Sequence, residues 1–150
     1  MQLATLIEPD LMRVPLEASD RLGAIRELVT LLADQGLVAD AERAIQTTWA
    51  RELERTTGIG EGLAVPHGRC DCIDRLVMAV GLPSTPIDFQ SFDQQPVRLV
   101  VLVLSPPKDT ASHIQILGAI SRVMSDRLTR EAAYTADSAE RLAAILQGEG

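Results

Sequence analysis

The sequence predicts an α/β fold in which a mixed β-sheet is sandwiched between α-helices. Two observations carry that expectation. Leu99 to Leu104 is an unbroken apolar run rich in Val, the pattern of a central strand covered on both faces. Helical periodicities stand before, between and after the apolar strand segments. With one Trp, one Tyr and two Phe, the core must be built from Leu, Ile, Val and Ala.

The elements follow in chain order. Arg13 to Glu17 reads as a short strand. Ser19 or Asp20 then supplies an N-cap for a helix carrying Leu22, Ile25, Val29 and Leu32 at helical spacing. Gly36 stops that helix. A second helix starts after Asp40, places Ile45, Trp49 and Leu53 on one face, and ends near Arg55. Thr56 to Gly62 is loop chemistry. Leu63-Ala64-Val65 is a short strand closed by Pro66, and Leu76 to Leu82 is a second. Pro83, Pro86 and Pro96 bracket an irregular stretch. Pro106-Pro107 ends the central strand. A third helix runs from about Ala111 to Met124 and a fourth from about Asp137 to Leu146. No internal repeat, low-complexity segment or interdomain linker interrupts the pattern, so residues 1–150 are expected to form one domain.

Composition excludes several functions. A formal net charge of −7 with no basic stripe argues against nucleic-acid binding. No apolar run reaches the ~18 residues that a membrane span needs. The segment Met1 to Asp10 lacks the basic end and apolar stretch of a signal peptide, and the expectation is a cytoplasmic protein. Cys70 and Cys72 sit one residue apart, a poor spacing for a disulfide and one that agrees with a reducing compartment. His67-x-x-Cys70-x-Cys72 is a weak metal pattern, because no fourth group stands at zinc spacing. No metal and no cofactor are expected.

The chain has only two histidines. His67 follows an apolar strand, with Pro66 fixing the backbone before it and Gly68 leaving space after it. A side chain held this way can face a cleft. The plain alternative is a histidine that simply covers a strand end, as lone histidines often do. His113 lies in the first turn of the third helix and shares a face with Ile116, Leu117 and Ile120, so it should point inward. A helix N-terminus disfavours imidazolium and favours a neutral ring. Its alternative is a core histidine satisfied by backbone. Arg51, on the helix that runs into the glycine loop, suits phosphate oxygens. Its alternative is a solvated arginine paired with Glu52 or Glu54. Gly58-Ile59-Gly60-Glu61-Gly62 is not a dinucleotide fingerprint, because a helix precedes it and a strand follows. No Walker lysine follows either. These glycines permit a tight loop near His67 whose backbone amides could cradle an anion.

Taken in order, these pieces resemble the second-type EIIA domain of the bacterial phosphoenolpyruvate-dependent sugar phosphotransferase system, in its fructose/mannitol and nitrogen-regulatory branch. Arg51-Glu52 begins the resemblance. Thr57-Gly58-Ile59-Gly60-Glu61-Gly62-Leu63-Ala64-Val65-Pro66-His67-Gly68 is its centre. Pro86-Ile87-Asp88-Phe89, Phe92-Asp93, Pro96-Val97, Leu102 to Pro106 and His113-Ile114-Gln115-Ile116-Leu117 continue it. Pro107, Asp109-Thr110 and Cys70-Asp71-Cys72 depart from the family pattern.

The resemblance implies the mannitol-specific EIIA-like fold and a phosphotransferase with a phosphohistidine intermediate. It places the phosphate on His67, puts His113 beside it to hold the phosphoryl group, and gives Arg51 a part in the phosphate site. Thr57 and Gly58 match loop positions near that pocket. The implied donor is the carrier HPr or its nitrogen-branch counterpart. The implied acceptor is an EIIB cysteine, or none in a regulatory member that binds target proteins instead. With no fused EIIB or membrane domain in the sequence, a nitrogen-regulatory role is expected over sugar transport.

Overall fold

A computed structural model describes residues 2–148. Its centre is a six-stranded mixed sheet. β1 (Met12–Leu16) pairs parallel with β5 (Val77–Pro83), and β5 pairs antiparallel with β6 (Leu99–Ser105). Beyond β6 lies β3 (Leu63–Ala64), parallel to it, and then β2 (Gly58–Gly60), antiparallel to β3. β4 (His67–Arg69) adds a second parallel partner to β6, with His67 opposite Val103 and Arg69 opposite Ser105.

Strand alternation splits the core into two layers. Val100, Leu102 and Leu104 of β6 pack with α1 (Arg21–Asp34) and α2 (Ala41–Glu54), through Ile25, Leu28, Leu32 and Ile45. Leu99, Val101 and Val103 face the other way. They meet α3 (Thr110–Met124), α4 (Arg127–Tyr134) and α5 (Ala139–Leu146), through Ile116, Ile120, Tyr134 and Leu142. The expected sheet between helix layers is what forms, and every residue of β6 is buried. Each α-helix begins on a capping side chain: Asp20, Asp40, Asp109, Asp126 and Ser138 all accept from a backbone N–H three residues on. Asp20, not Ser19, is the first of them.

Four expectations need correction. Leu53 does not share the buried face of Ile45 and Trp49; it is 61% exposed. Positions four apart on a helix drift by about 40° per step, so eight residues carry Leu53 off that face. Residues 58–60 are a strand rather than loop, since they can pair with β3. The segment 127–134 forms a helix that the apolar pattern did not mark, because only Ala133 and Tyr134 of it are buried. Finally, Cys70 and Cys72 are joined by a disulfide, with Cα atoms 5.2 Å apart. A turn in which the Ile73 N–H donates to the Cys70 carbonyl (3.2 Å) folds the two side chains together. Their spacing therefore carries no argument for a reducing compartment.

Candidate functional site

His67 opens β4 rather than closing the preceding strand. The Pro66 carbonyl accepts from Val103 N–H at 3.0 Å, so the backbone enters the sheet just as the imidazole emerges. Gly68 lets this strand lie against α2. A Cβ there would sit 2.6 Å from Thr48 Oγ1 and 3.3 Å from Thr48 Cα. That approach brings the next turn of α2, with Arg51, to the same cleft as His67.

The His67 ring is fixed by one contact. Its Nδ1 lies 2.8 Å from the Val65 carbonyl oxygen. A carbonyl only accepts, so Nδ1 carries the proton and Nε2 keeps its lone pair. Partial burial foremost, and then the Arg51 cation, hold the ring below its usual pKa; the Val65 carbonyl and Glu52 oppose them. The net direction favours a neutral ring with a nucleophilic Nε2.

His113 approaches edge-on, with ring centroids 5.4 Å apart and planes inclined by 66°. It is 7% exposed, and its Nδ1 lies 2.7 Å from the buried Ser105 hydroxyl. Burial above all, then His67 and Arg69, push its pKa down to about 4 against the opposing pull of Asp109. The inward, neutral histidine expected from the helix pattern is what the fold builds. Its polar partner is the Ser105 side chain rather than backbone.

The cleft, of about 660 Å³, is lined by Arg51, Thr57, Gly58 and His67 as expected, and also by Arg55, Gln90 and Phe92. Arg51 pairs with neither Glu52 nor Glu54; its guanidinium donates to the Arg55 carbonyl at 2.9 Å. Glu52 is buried. Its carboxylate accepts from the Thr57 N–H (2.9 Å) and from the Thr57 hydroxyl, and pairs with Arg21 at 3.5 Å. The Gly58 N–H donates to Thr56 Oγ1 at 3.0 Å, and the Glu61 N–H to Asp93 at 2.9 Å. The amides of Thr57, Gly58 and Glu61 are thus engaged by side chains, so these three are not free to cradle an anion. They shape the loop instead. Cationic charge in the cleft comes from Arg51 and Arg55. Ile59 and Phe92, 53% and 94% exposed, put apolar surface on the rim.

Two residues near the site were not singled out in the sequence: Ser105, which binds His113, and Arg69, which binds the start of α3. Ser105 ends a purely apolar run, where a hydroxyl facing the core is the available signal. Arg69 lies two residues beyond His67, and period-two alternation would have marked it had β4 been recognised. Among the described residues no group of three or more His, Cys, Asp or Glu is placed to hold a metal ion. Among them, too, no helix is long and apolar enough to cross a membrane.

The chain is similar to known proteins over most of its length. The family described as "Phosphoenolpyruvate-dependent sugar phosphotransferase system, EIIA 2" matches residues 5–149. A fructose-specific EIIA component from Haloferax volcanii is 31% identical over 96% of this chain and 94% of its own. A nitrogen regulatory protein from Bradyrhizobium diazoefficiens is 33% identical over 85% of this chain and 82% of its own. Among solved structures, the nitrogen regulatory protein IIA-Ntr of Neisseria meningitidis superposes with a TM-score of 0.88 at 26% identity, covering 96% of this chain and 98% of that one. The IIA mannitol structure from Escherichia coli shares the fold, with a TM-score of 0.80 at 22% identity over 93% and 97% of the two chains.

Proposed function

This chain belongs to the EIIA 2 family of the phosphoenolpyruvate-dependent sugar phosphotransferase system, and we propose that it works there as a phosphotransferase holding the phosphoryl group on Nε2 of His67. The observation that carries the assignment is the bond from His67 Nδ1 to the Val65 carbonyl, which leaves Nε2 as the free nucleophile beside Arg51 and His113.

Phosphoryl transfer passes through a loose, in-line transition state, and the protein's task is position and positive charge. The donor is a phosphohistidine on HPr or its nitrogen-branch counterpart. Its N–P bond breaks as the bond from phosphorus to His67 Nε2 forms, while His67 keeps its Nδ1 proton. The loaded ring acquires positive charge, which the Val65 carbonyl dipole offsets. Arg51 balances the arriving phosphoryl charge. With the Ser105 hydroxyl donating to Nδ1, His113 carries its proton on Nε2 and offers it to a phosphoryl oxygen. Thr57 and Gly58 hold the loop wall of the pocket rather than the phosphate. No metal or cofactor takes part. The apolar rim at Ile59 and Phe92 suits a protein partner, and the reaction is a cytoplasmic one.

We read the role as regulatory, on the closer superposition with IIA-Ntr than with IIA mannitol. The fructose-specific relative supports the second reading, a transport EIIA that passes phosphate to an EIIB cysteine. The test is phosphotransfer with phosphoenolpyruvate, Enzyme I and HPr. Wild type should take up an acid-labile, base-stable phosphate and His67→Ala none. Label persisting on His67→Ala would overturn the site. Onward transfer to a purified EIIB domain would decide for transport.

A further inference from the structure

We propose that Arg69 is a positioning residue for phosphoryl transfer: from the end of β4 it clamps the first turn of α3 and so sets how far His113 stands from His67. The inference rests on the reading of His67 as phosphoryl acceptor.

His67 and Arg69 are two residues apart on one strand, so both side chains leave the same face of β4. The Arg69 guanidinium does not meet a carboxylate among the described ion pairs. It donates to the Pro107 carbonyl and, at 2.6 Å, to the Thr110 hydroxyl, 38 and 41 residues further along the chain. Pro107 lies in the loop that leads from β6 into α3, and Thr110 is the first residue of the helix. His113 follows Thr110 by three residues, on the same side of the helix.

The register of the sheet makes this a two-point hold. Arg69 lies opposite Ser105 on β6, and Ser105 is the residue whose hydroxyl binds His113 Nδ1. One rung of the β4–β6 ladder therefore holds the His113 ring from within and its helical turn from outside. The Asp109 cap on Ser112 N–H fixes the start of α3 but does not tie it to β4. Among the described β4 side chains, Arg69 is the one that hydrogen-bonds to that turn, while His67 meets it only through the His113 ring. It also places a cation near His113. The charged and titratable groups facing that ring are His67 and Arg69 on β4 and Asp109 at the helix cap, and of these only Asp109 favours protonation.

The test compares wild type, Arg69→Ala and Arg69→Lys. Rates of loading by phospho-HPr are measured across HPr concentrations, and the His113 ring is titrated by NMR in the unphosphorylated protein. Arg69→Ala should load about tenfold more slowly at saturating phospho-HPr, with the half-saturating concentration unchanged. Its His113 pKa should rise from about 4. Arg69→Lys, which keeps the charge and can reach one of the two oxygens, should recover part of the rate. If wild type labels on His67 and Arg69→Ala loads at the same rate, the clamp is wrong. A change confined to the half-saturating concentration would also overturn it, by making Arg69 a docking residue. If wild type itself takes no label, the assignment of His67 fails, while the His113 titration still reports on the clamp.

Discussion

His67 and His113 meet edge-on at 5.4 Å, and each has its Nδ1 committed to a fixed oxygen, the Val65 carbonyl for one and the Ser105 hydroxyl for the other. On the proposed reading, the pair presents two Nε2 atoms with different duties. One bears a lone pair for phosphorus. The other, with the Ser105 hydroxyl donating, bears a proton for a phosphoryl oxygen.

The buried His113 should make stability depend on pH. Unfolded, the ring titrates near its usual 6.5; folded, it titrates at about 4. Between those values the unfolded chain binds a proton that the folded one lacks. The stabilisation is thus complete above about pH 6.5 and is lost as pH falls toward 4. The loss due to this ring, relative to neutral pH, is about 2–3 kcal/mol at pH 4.5. Urea unfolding of wild type and His113→Asn at pH 7 and pH 4.5 isolates it. Equal pH dependence in the two proteins would contradict the assignment.

Ser105→Ala removes the partner of a buried ring nitrogen. The expected cost is about 1–3 kcal/mol in urea unfolding, the penalty for leaving a buried polar group unsatisfied. Loading by phospho-HPr should slow as well, because the His113 tautomer is no longer fixed. A variant that loses stability yet loads at the wild-type rate would reduce Ser105 to a packing role.

Gly68→Ala should destabilise by about 1–3 kcal/mol, since its Cβ would meet Thr48 Oγ1 at 2.6 Å. The double variant Gly68→Ala with Thr48→Ala removes the nearest atom. It should be less destabilised than the sum of the single variants, and simple additivity in urea unfolding would deny the contact.

Much of this fold was legible because burial leaves a periodic trace. The Val-rich run at Leu99 to Leu104 marked the centre of the sheet, and the spacing His113, Ile116, Ile120 put the second histidine inside. What stayed hidden has no periodic trace. β4 is three residues long, too short to show alternation, and Pro66 reads as an ending when it is in fact an entry. With β4 unseen, the shared face of His67 and Arg69 was unseen too. The Glu52 carboxylate looked like a surface partner for Arg51. Its burial follows from Thr57 and Arg21 closing over it, which only tertiary packing decides.

The bond between His67 Nδ1 and the Val65 carbonyl has a consequence for traffic. On the proposed reading, the nitrogen that receives phosphorus is also the one from which it departs, and the ring need not turn between the two events. Loading and unloading then share one face of the protein and one trajectory, run in opposite directions. A donor and any recipient would then compete for that face, so each visit would finish before the next begins.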